Sequence, residues 1–218
     1  MKPLIKTSIL IVLLVIIADQ ALKIWVKTHM FLTESSFTNW GWSINKFQLV
    51  FTENPGMAFG WKLPGNWGKI ILSIFRLVAI AGLTYAIGWL IEKKKTTKSL
   101  VVCLSLILGG AIGNMIDSCF YGMIFSASGY TANTVAQFLP AGGGYAPFLQ
   151  GKVVDMLYFP LFEGTFPDWS PINAGKPFIF FSPIFNIADA AVTTAVFIIF
   201  FFQKKILPKE EKKAEETK

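Results

Sequence analysis

The stretch Ile184-Phe185-Asn186-Ile187-Ala188-Asp189 opens the last hydrophobic segment of the chain, which continues as an apolar run to Phe202. This segment approaches the roughly 20 residues that an α-helix needs to cross a bilayer. A carboxylate within lipid costs roughly 2.5–3.5 kcal/mol on insertion scales, so an intramembrane acid is a functional-site hypothesis by default. Asp189 therefore indicates a membrane protein with acid chemistry.

Four hydrophobic segments of this kind occur along the chain. The 218 residues are 53% hydrophobic and only 15% charged, which is too apolar for an ordinary soluble domain. We predict an all-α membrane protein, with one four-helix transmembrane domain over residues 1–203 and a charged, disordered tail over 204–218. The predicted spans are residues 4–25, 70–91, 100–120 and 184–202, with long external loops at 28–69 and 122–183 and a short strand at Phe47–Phe51.

Lysines near the segment ends predict the orientation of the spans. The short loop between the second and third spans carries four lysines, and Lys204-Lys205 follows the fourth span. By the positive-inside rule this loop and both termini are cytoplasmic, although Lys23 and Lys27 at the other end of the first span weaken the signal slightly. The two long loops are then external.

The aspartates fall in one layer of the predicted bundle. Four of the five lie in or against hydrophobic segments, whereas every glutamate lies outside them. At 1.5 Å per residue, Asp19 and Asp117 lie about 18–25 Å from the cytoplasmic ends of their spans, and Asp189 lies about 20 Å above the inner end of its span. All three are in the outer third of a core of about 30 Å. Asp155 is in the outer loop, so the four can meet near the external face.

The single arginine, Arg76, lies about 9 Å into the second span, in the same layer. A lone arginine at this depth needs a partner, and the aspartates are the available ones. Pairing that only joins helices is an open alternative, and Asp19 and Lys23, spaced i, i+4, could simply pair with each other. Four acids with so few bases cannot all be neutralised, so at least one should stay protonated.

The composition does not favour disulfide bonds, metal binding or nucleic-acid binding. Cys103 and Cys119 lie about 24 Å apart on one predicted helix, beyond disulfide reach. His29 is the only histidine, so we expect no histidine-rich metal cluster and no cofactor. The net charge of +7 is concentrated at segment ends and in the tail, which is typical of topology signals rather than of a nucleic-acid groove.

Five short blocks carry a family resemblance that runs through the whole chain. They are Asp19-Gln20-x-x-Lys23, Asn54-Pro55-Gly56-Met57-Ala58-Phe59-Gly60, Gly109-Gly110-Ala111-Ile112-Gly113-Asn114-x-x-Asp117, Val153-Val154-Asp155 and Phe185-Asn186-x-Ala188-Asp189. With these blocks in family order on four spans, the chain resembles the lipoprotein signal peptidases (signal peptidase II), the integral-membrane aspartic peptidases of bacteria.

The resemblance implies a function and a set of site residues. The substrate would be a lipoprotein precursor that carries diacylglycerol on its lipobox cysteine, cleaved just before that cysteine in the bacterial inner membrane. Membrane lipids would be its other partners, and we expect a monomer. Asp155 and Asp189 would form the catalytic pair, Asn54, Gly56, Asn114 and Asn186 would line the substrate site, and Asp19, Lys23 and Asp117 would support it.

Two carboxyl groups are chemically sufficient for amide hydrolysis. Like charges a few Å apart cannot both ionise, so one pKa is driven up. The ionised carboxylate then deprotonates a water, and the protonated carboxyl polarises the carbonyl. Glycines at Gly56 and Gly109-Gly110 would let the backbone approach a bulky lipopeptide. The strand around Phe47–Phe51 and the aromatic segment Phe59–Trp61 could lie in the interface as a clamp, or they could be ordinary interfacial aromatics.

The chain departs from the family pattern in two places. Ser118 stands where the family commonly carries an arginine after Asp117, and we hypothesise that Arg76 supplies the missing donor. The stretches 123–150 and 156–183 exceed the compact family pattern and are predicted to form a surface lid or platform. A proton-coupled transporter and a non-catalytic scaffold are the alternatives. A transporter would place its acids nearer the midplane, between repeated halves.

Overall fold

The computed structural model describes residues 1–32, 43–44, 47–55, 67–171 and 173–208. Within this part of the chain, four apolar helices are long enough to cross a membrane. Their outward surfaces are apolar, with exposed side chains such as Leu14, Phe75 and Phe200. Such surfaces suit lipid rather than water. The predicted helical membrane fold is therefore confirmed, and the long helices are α1 (Lys2–His29), α2 (Trp67–Glu92), α3 (Lys98–Ile116) and α5 (Ile187–Ile206).

The last helix begins three residues later than predicted. Ile184–Phe185 forms strand β6, and α5 begins at Ile187 rather than at residue 184. Asn186 caps the helix, because its side-chain oxygen accepts a hydrogen bond from the backbone N–H of Asp189 at 2.9 Å. An asparagine cap satisfies one of the free N–H groups of the first turn. The cap places Asp189 in the first turn of α5.

Helix α3 is the centre of the bundle and packs against α1, α2 and α5. Its glycines permit these contacts: a Cβ at Gly109 would lie 2.9 Å from the Cβ of Val15, and one at Gly110 would lie 2.4 Å from the carbonyl oxygen of Ala188. Small residues allow membrane helices to approach closely. The expectation that Gly109-Gly110 faces a lipopeptide is therefore wrong, because these glycines face α1 and α5.

The third span continues past α3 without a break. A π-helical turn over Asp117–Tyr121 is followed by the short helix α4 (Gly122–Ile124). The wider turn leaves carbonyls free to accept from the following segment, and Gly151 N–H donates to Ser118 O at 2.9 Å. Turns of this kind often occur at functional sites. Here the turn brings the chain that leads into the next strand against Asp117.

Two small antiparallel sheets lie beyond the helices. The first has the order β1 (Ser43–Ile44), β2 (Phe47–Asn54), β3 (Val153–Tyr158) and β6, and the second pairs β4 (Phe162–Thr165) with β5 (Pro177–Phe180). The strand expected at Phe47–Phe51 is confirmed and extends to Asn54. The region 122–183, predicted as loop, contributes three strands, so the chain contains more β-structure than its sequence indicated.

Strands β2 and β3 carry the first sheet onto the end of the bundle where α1 finishes and α5 begins, which we call the site end. Asp155 pairs with Thr52 in the register, and Val154 pairs with Glu53. Buried Phe51 and Val154 pack in one apolar cluster with Val26 of α1. This cluster fixes the sheet against the helices and so holds Asp155 near the helix ends.

Candidate active site

Asp155 and Asp189 are presented by different elements at the site end. Asp155 lies on β3 and is 5% exposed, whereas Asp189 in α5 is partly exposed. The side-chain amide of Asn186 donates to Asp155 Oδ1 at 2.6 Å. The amide of Asn114 donates to Asp189 Oδ1 at 2.8 Å. Each carboxyl therefore has its own amide donor.

The two amides are joined to each other, so the carboxyls belong to one network. Asn186 Nδ2 also lies 3.1 Å from Asn114 Oδ1. Lys23 Nζ donates to the same Asn114 oxygen at 2.8 Å. Because an ammonium can only donate, Lys23 fixes the oxygen on its own side and turns the Asn114 NH2 group toward Asp189.

The environment of Asp155 favours its protonated form. Burial raises the pKa of its carboxyl to about 7, and the negative charge of Asp189 adds to the rise. The hydrogen bond from Asn186 and the charge of Lys23 act in the opposite direction but do not outweigh burial. A carboxyl with this pKa holds a proton for much of the time near neutral pH, as a group that donates to a substrate must.

Lys23 is fully buried between two carboxylates. Its Nζ lies 2.8 Å from Asp19 Oδ2 and 2.8 Å from Asp117 Oδ2. The i, i+4 pair predicted with Asp19 is therefore present, and Asp117 is added to it. Asp19 also accepts the backbone N–H of Ala188 at 2.9 Å, and Asp117 accepts that of Val154 at 3.1 Å. These two carboxylates thus hold the elements that carry Asp189 and Asp155.

Gln20 links the same carboxylates to α3. Its amide lies 2.9 Å from Asp117 Oδ1, 3.2 Å from Asp19 Oδ2 and 3.1 Å from the Gly113 carbonyl oxygen. Tyr121 donates its hydroxyl hydrogen to Gln20 Oε1 at 3.1 Å. Gln20 stands in the first motif block, but no role was predicted for it. Its function in the fold becomes visible only once α1 and α3 are placed together.

Arg76 lies beside Ser118, the residue that follows Asp117. Its Nη1 donates to Ser118 Oγ at 3.4 Å. Over the described residues, no carboxylate comes within 4.0 Å of Arg76, so the expected ion pair with an aspartate is wrong. The charges of Asp189, Asp117 and Asp155 nevertheless act on the guanidinium. Arg76 therefore lies near the acids, but its guanidinium N–H groups form no ion pair with the described carboxylates.

The remaining predicted residues lie at or beyond the end of β2. Asn54 is exposed and pairs with Val153 in the register. Gly56 and the aromatic segment Phe59–Trp61 lie outside the described residues. The substrate-lining role of Asn54 and Gly56 stays a prediction.

A second buried charge cluster was missed by the sequence reasoning. Lys27, one turn beyond Lys23, pairs with Glu53, and Lys152 lies 2.8 Å from the other Glu53 oxygen. Ser128 donates to Glu53 at 2.9 Å. Burial would raise the pKa of Glu53, but the charges and hydrogen bonds of the two lysines outweigh it and lower the pKa. The signal was the i, i+4 spacing of Lys23 and Lys27, which places both on one face of α1.

The described part of the chain has no arrangement of side chains that suits a metal ion. No group of three or more histidine, cysteine, aspartate or glutamate side chains is arranged there to hold a metal ion. Cys103 and Cys119 are buried free thiols. The chemical resources of the site are its carboxyls, amides and cations.

Together, the apolar helices and this cluster define a polytopic membrane protein with a carboxyl-based candidate site at one end of its bundle. The model of the signal peptidase (SPase) II family matches residues 11–204. The lipoprotein signal peptidase of Porphyromonas gingivalis is 46% identical over 188 residues, which cover 86% of this chain and 78% of that protein. The chain therefore belongs to the signal peptidase II family and is a membrane peptidase, as the motif blocks predicted.

Further comparisons agree with this assignment. The lipoprotein signal peptidase of Amoebophilus asiaticus is 37% identical over 187 residues, which cover 85% of this chain and 72% of that protein. A solved bacterial membrane enzyme, determined by the in meso method at 1.9 Å resolution, matches with a TM-score of 0.57 and 25% identity. That match covers 92% of this chain and 94% of the other. The likeness therefore extends over nearly the whole fold.

Proposed function

We propose that this protein is an aspartic endopeptidase that removes the signal peptide from diacylglyceryl-modified prolipoproteins, cleaving before the lipidated cysteine. The relatives named lipoprotein signal peptidase support the substrate class. The observation that carries the mechanism is the chain of amides from Asp155 through Asn186 and Asn114 to Asp189. It connects a carboxyl whose pKa is raised to about 7 with a second, partly exposed carboxyl.

In the proposed reaction the pair supplies one base and one acid. The ionised carboxylate takes a proton from water, and the resulting hydroxide oxygen bonds to the scissile carbonyl carbon. The protonated carboxyl donates to the carbonyl oxygen, and a proton passes to the leaving nitrogen as the C–N bond breaks. Because the two groups titrate together, the acid and base roles belong to the pair of Asp155 and Asp189.

The surrounding residues position the pair. Asn186 and Asn114 hold the carboxyls by their amides, and Lys23 orients Asn114. Asp19 and Asp117 hold the helix and strand that bear the pair, through the N–H groups of Ala188 and Val154.

Arg76 is proposed to donate to a carbonyl of the substrate backbone. Its guanidinium presents several N–H groups in a rigid fork, whereas its contact with Ser118 is a single bond of 3.4 Å. The remaining N–H groups can bind a peptide that lies across the site end. This arrangement would replace the arginine that the family commonly carries at position 118.

The distribution of lysines supports an orientation of the protein in the membrane. Lys204 and Lys205 lie at the far end of α5, and the short loop between α2 and α3 also carries lysines. We infer that these ends face the cytoplasm and that the site end faces the outer side of the bacterial inner membrane. A lipid-anchored substrate could then reach the site laterally. We infer a monomer.

Replacement of the paired aspartates tests the proposal. Asp155→Asn and Asp189→Asn should each abolish cleavage of a diacylglyceryl-modified precursor, followed as a mobility shift on a gel, while inserted and folded protein remains. Asp168→Asn is the matched control, because Asp168 is exposed and lies outside the network, and it should cleave normally. Full processing by either of the first two variants would reject the mechanism, and misfolding of both would favour a scaffold role.

A further inference from the structure

The hairpin of β4 and β5 has one aromatic face. In its register Phe162 pairs with Phe180 and Gly164 pairs with Phe178, so these residues point to the same side. The rings of Phe162 and Phe180 stack with centroids 4.5 Å apart, and Phe166 lies 4.9 Å from Phe178. The opposite side carries Glu163 and Thr165 of β4 with Ile179 and Pro177 of β5, so the phenylalanine surface is confined to one face of the hairpin.

Gly164 completes the aromatic face. A Cβ at Gly164 would lie 2.9 Å from ring atoms of Phe178, so the ring covers the glycine backbone. An aromatic ring over a strand glycine compensates for the missing side chain. The four phenylalanines therefore form a continuous surface.

The described residues leave this surface largely uncovered. Within the described ranges, β4 and β5 pair with each other and hardly touch any other helix or strand. Phe162 and Phe180 are each 49% exposed, and Trp169 in the connecting turn is 82% exposed. An isolated two-stranded hairpin is marginal in water and needs packing against another surface. The hairpin therefore needs a packing partner that the described residues do not provide.

The position of the hairpin identifies this partner. Its base is the pairing of Tyr158 with Ile184, three residues before α5 begins at Ile187. A helix of 20 residues such as α5 is about 30 Å long, the thickness of the hydrocarbon core, so its first residues lie at the membrane boundary. Phe181, next to the hairpin, contacts Phe185 with centroids 5.9 Å apart. The hairpin thus departs from the chain at the level of the lipid headgroups.

We propose that the aromatic face of the β4–β5 hairpin lies in the headgroup interface of the leaflet at the site end, with Glu163 directed to water. Trp and Tyr concentrate at this depth, and amphipathic elements that lie in the interface bury Phe, Trp and Leu side chains at the boundary between headgroups and acyl chains. The hairpin then acts as a platform anchored beside the site rather than as a lid over it. The proposal depends on the membrane location of the protein and not on the roles of the two aspartates.

Site-directed spin labelling of the full chain in phospholipid vesicles tests the proposal. Nitroxides are attached to Trp169→Cys, to Phe162→Cys and to the matched control Glu163→Cys, one residue away on the opposite face. The native Cys103 and Cys119 are 2% and 6% exposed, and unsubstituted protein treated in parallel controls for their labelling. Collision rates are then measured with molecular oxygen, which partitions into lipid, and with a water-soluble nickel chelate.

The expected result is a ratio of oxygen to nickel-chelate collisions that is several-fold higher at Trp169→Cys and Phe162→Cys than at Glu163→Cys. Equal preference for the nickel chelate at all three positions would overturn the proposal, because the hairpin would stand in water. Shielding from both reagents, with spin–spin broadening that disappears on dilution in lipid, would also overturn it and indicate a second copy of the chain. Trp169 is so exposed that its replacement removes little packing, so its comparison with Glu163→Cys decides the outcome even if Phe162→Cys does not fold.

Discussion

Two buried lysines on one face of α1, a single turn apart, are used in different ways. Lys23 lies between the carboxylates of Asp19 and Asp117, so its immediate cluster carries a net negative charge. Lys27 shares the single carboxylate of Glu53 with Lys152, so the second cluster carries a net positive charge. The first cluster touches the proposed catalytic network through Asn114, whereas the second fastens the sheet to the helix.

The surroundings of the two ammonium groups differ as much as their charges. The hydrogen-bond partners of Lys23 are carboxylates and the Asn114 oxygen. Lys27 Nζ lies 5.1–5.8 Å from the ring centres of Phe51, Phe125 and Tyr145. Cation–π contacts of this kind contribute about 0.5–2 kcal/mol each, depending on desolvation. A buried lysine therefore indicates a functional site only through the groups that it binds.

Replacing Lys23 by methionine should have the largest effect. The variant leaves Asp19 and Asp117 buried without a counter-charge, and removing one partner of a buried ion pair costs about 3–5 kcal/mol. Asn114 also loses the donor that orients its amide toward Asp189. We expect a loss of stability in chemical or thermal unfolding and no detectable precursor cleavage.

Lys27→Met is the matched control for this prediction. It should also lower stability, because Glu53 loses its buried partner, but it should retain measurable cleavage. Equal residual cleavage by the two lysine variants would contradict the division between a site cluster and a fastening cluster.

Glu53→Gln should have a smaller effect on stability. It leaves Lys27 buried without a carboxylate in its cluster, but the three rings remain, so we expect a loss of about 2–3 kcal/mol rather than the full cost of a broken buried pair. Unfolding measurements check this value. Glu163→Gln, on an exposed residue, should stay within about 0.5 kcal/mol of the parent. An equally small change for Glu53→Gln would mean that the second cluster does not fasten the sheet.

Gly110→Ala tests how closely the site cluster depends on helix approach. The new Cβ would lie 2.4 Å from the carbonyl oxygen of Ala188, so α3 and α5 must separate. Such overpacking costs about 1–3 kcal/mol, and it should slow cleavage because Asn114 and Asp189 move apart. A Cβ at Gly82 would have no neighbouring atom within 4 Å, so Gly82→Ala should not destabilise the protein. Equal behaviour of the two variants would contradict the packing role of Gly110.

Of these variants, Arg76→Lys should have the smallest effect. It should slow cleavage and leave stability unchanged. A lysine keeps the charge but loses the planar fork, so we expect cleavage to slow about tenfold, equivalent to roughly 1.4 kcal/mol of transition-state binding. Steady-state cleavage assays beside unfolding curves measure both quantities. Unchanged cleavage would contradict the proposed contact between Arg76 and the substrate.

Local patterns in the sequence were sufficient for the helices. Hydropathy and length gave four spans, and helical rise placed Asp19, Asp117 and Asp189 at one level; the structure brings these residues to the same end of the bundle. The alternating stretch at Phe47–Phe51 predicted a strand for the same reason. These features depend on periodicity along one segment, which a sequence displays directly.

Features that depend on contacts between distant segments were missed or misread. Glu53 is paired only because β2 and α1 meet, and Gly110 faces Ala188 only because α3 and α5 cross there. The strands β3 to β5 lie in a region rich in glycine and proline, where loop signals hide short pairings. Arg76 was expected to bind an acid and instead contacts Ser118. In each case the partner is many residues away and no local pattern names it.

The pKa of Asp155 decides whether the two aspartates share a proton, and it can be followed through the carboxyl infrared band in difference spectra against Asp155→Asn. The pKa of about 7 exceeds the ordinary value of 3.8, so the folded state binds the proton more tightly than the unfolded state. Stability should therefore fall as the pH rises from about 4 to 7. We predict a midpoint near pH 7 that moves downward in Asp189→Asn, where the like charge is removed. A midpoint near 4 that Asp189→Asn leaves unchanged would contradict a proton shared by the two aspartates.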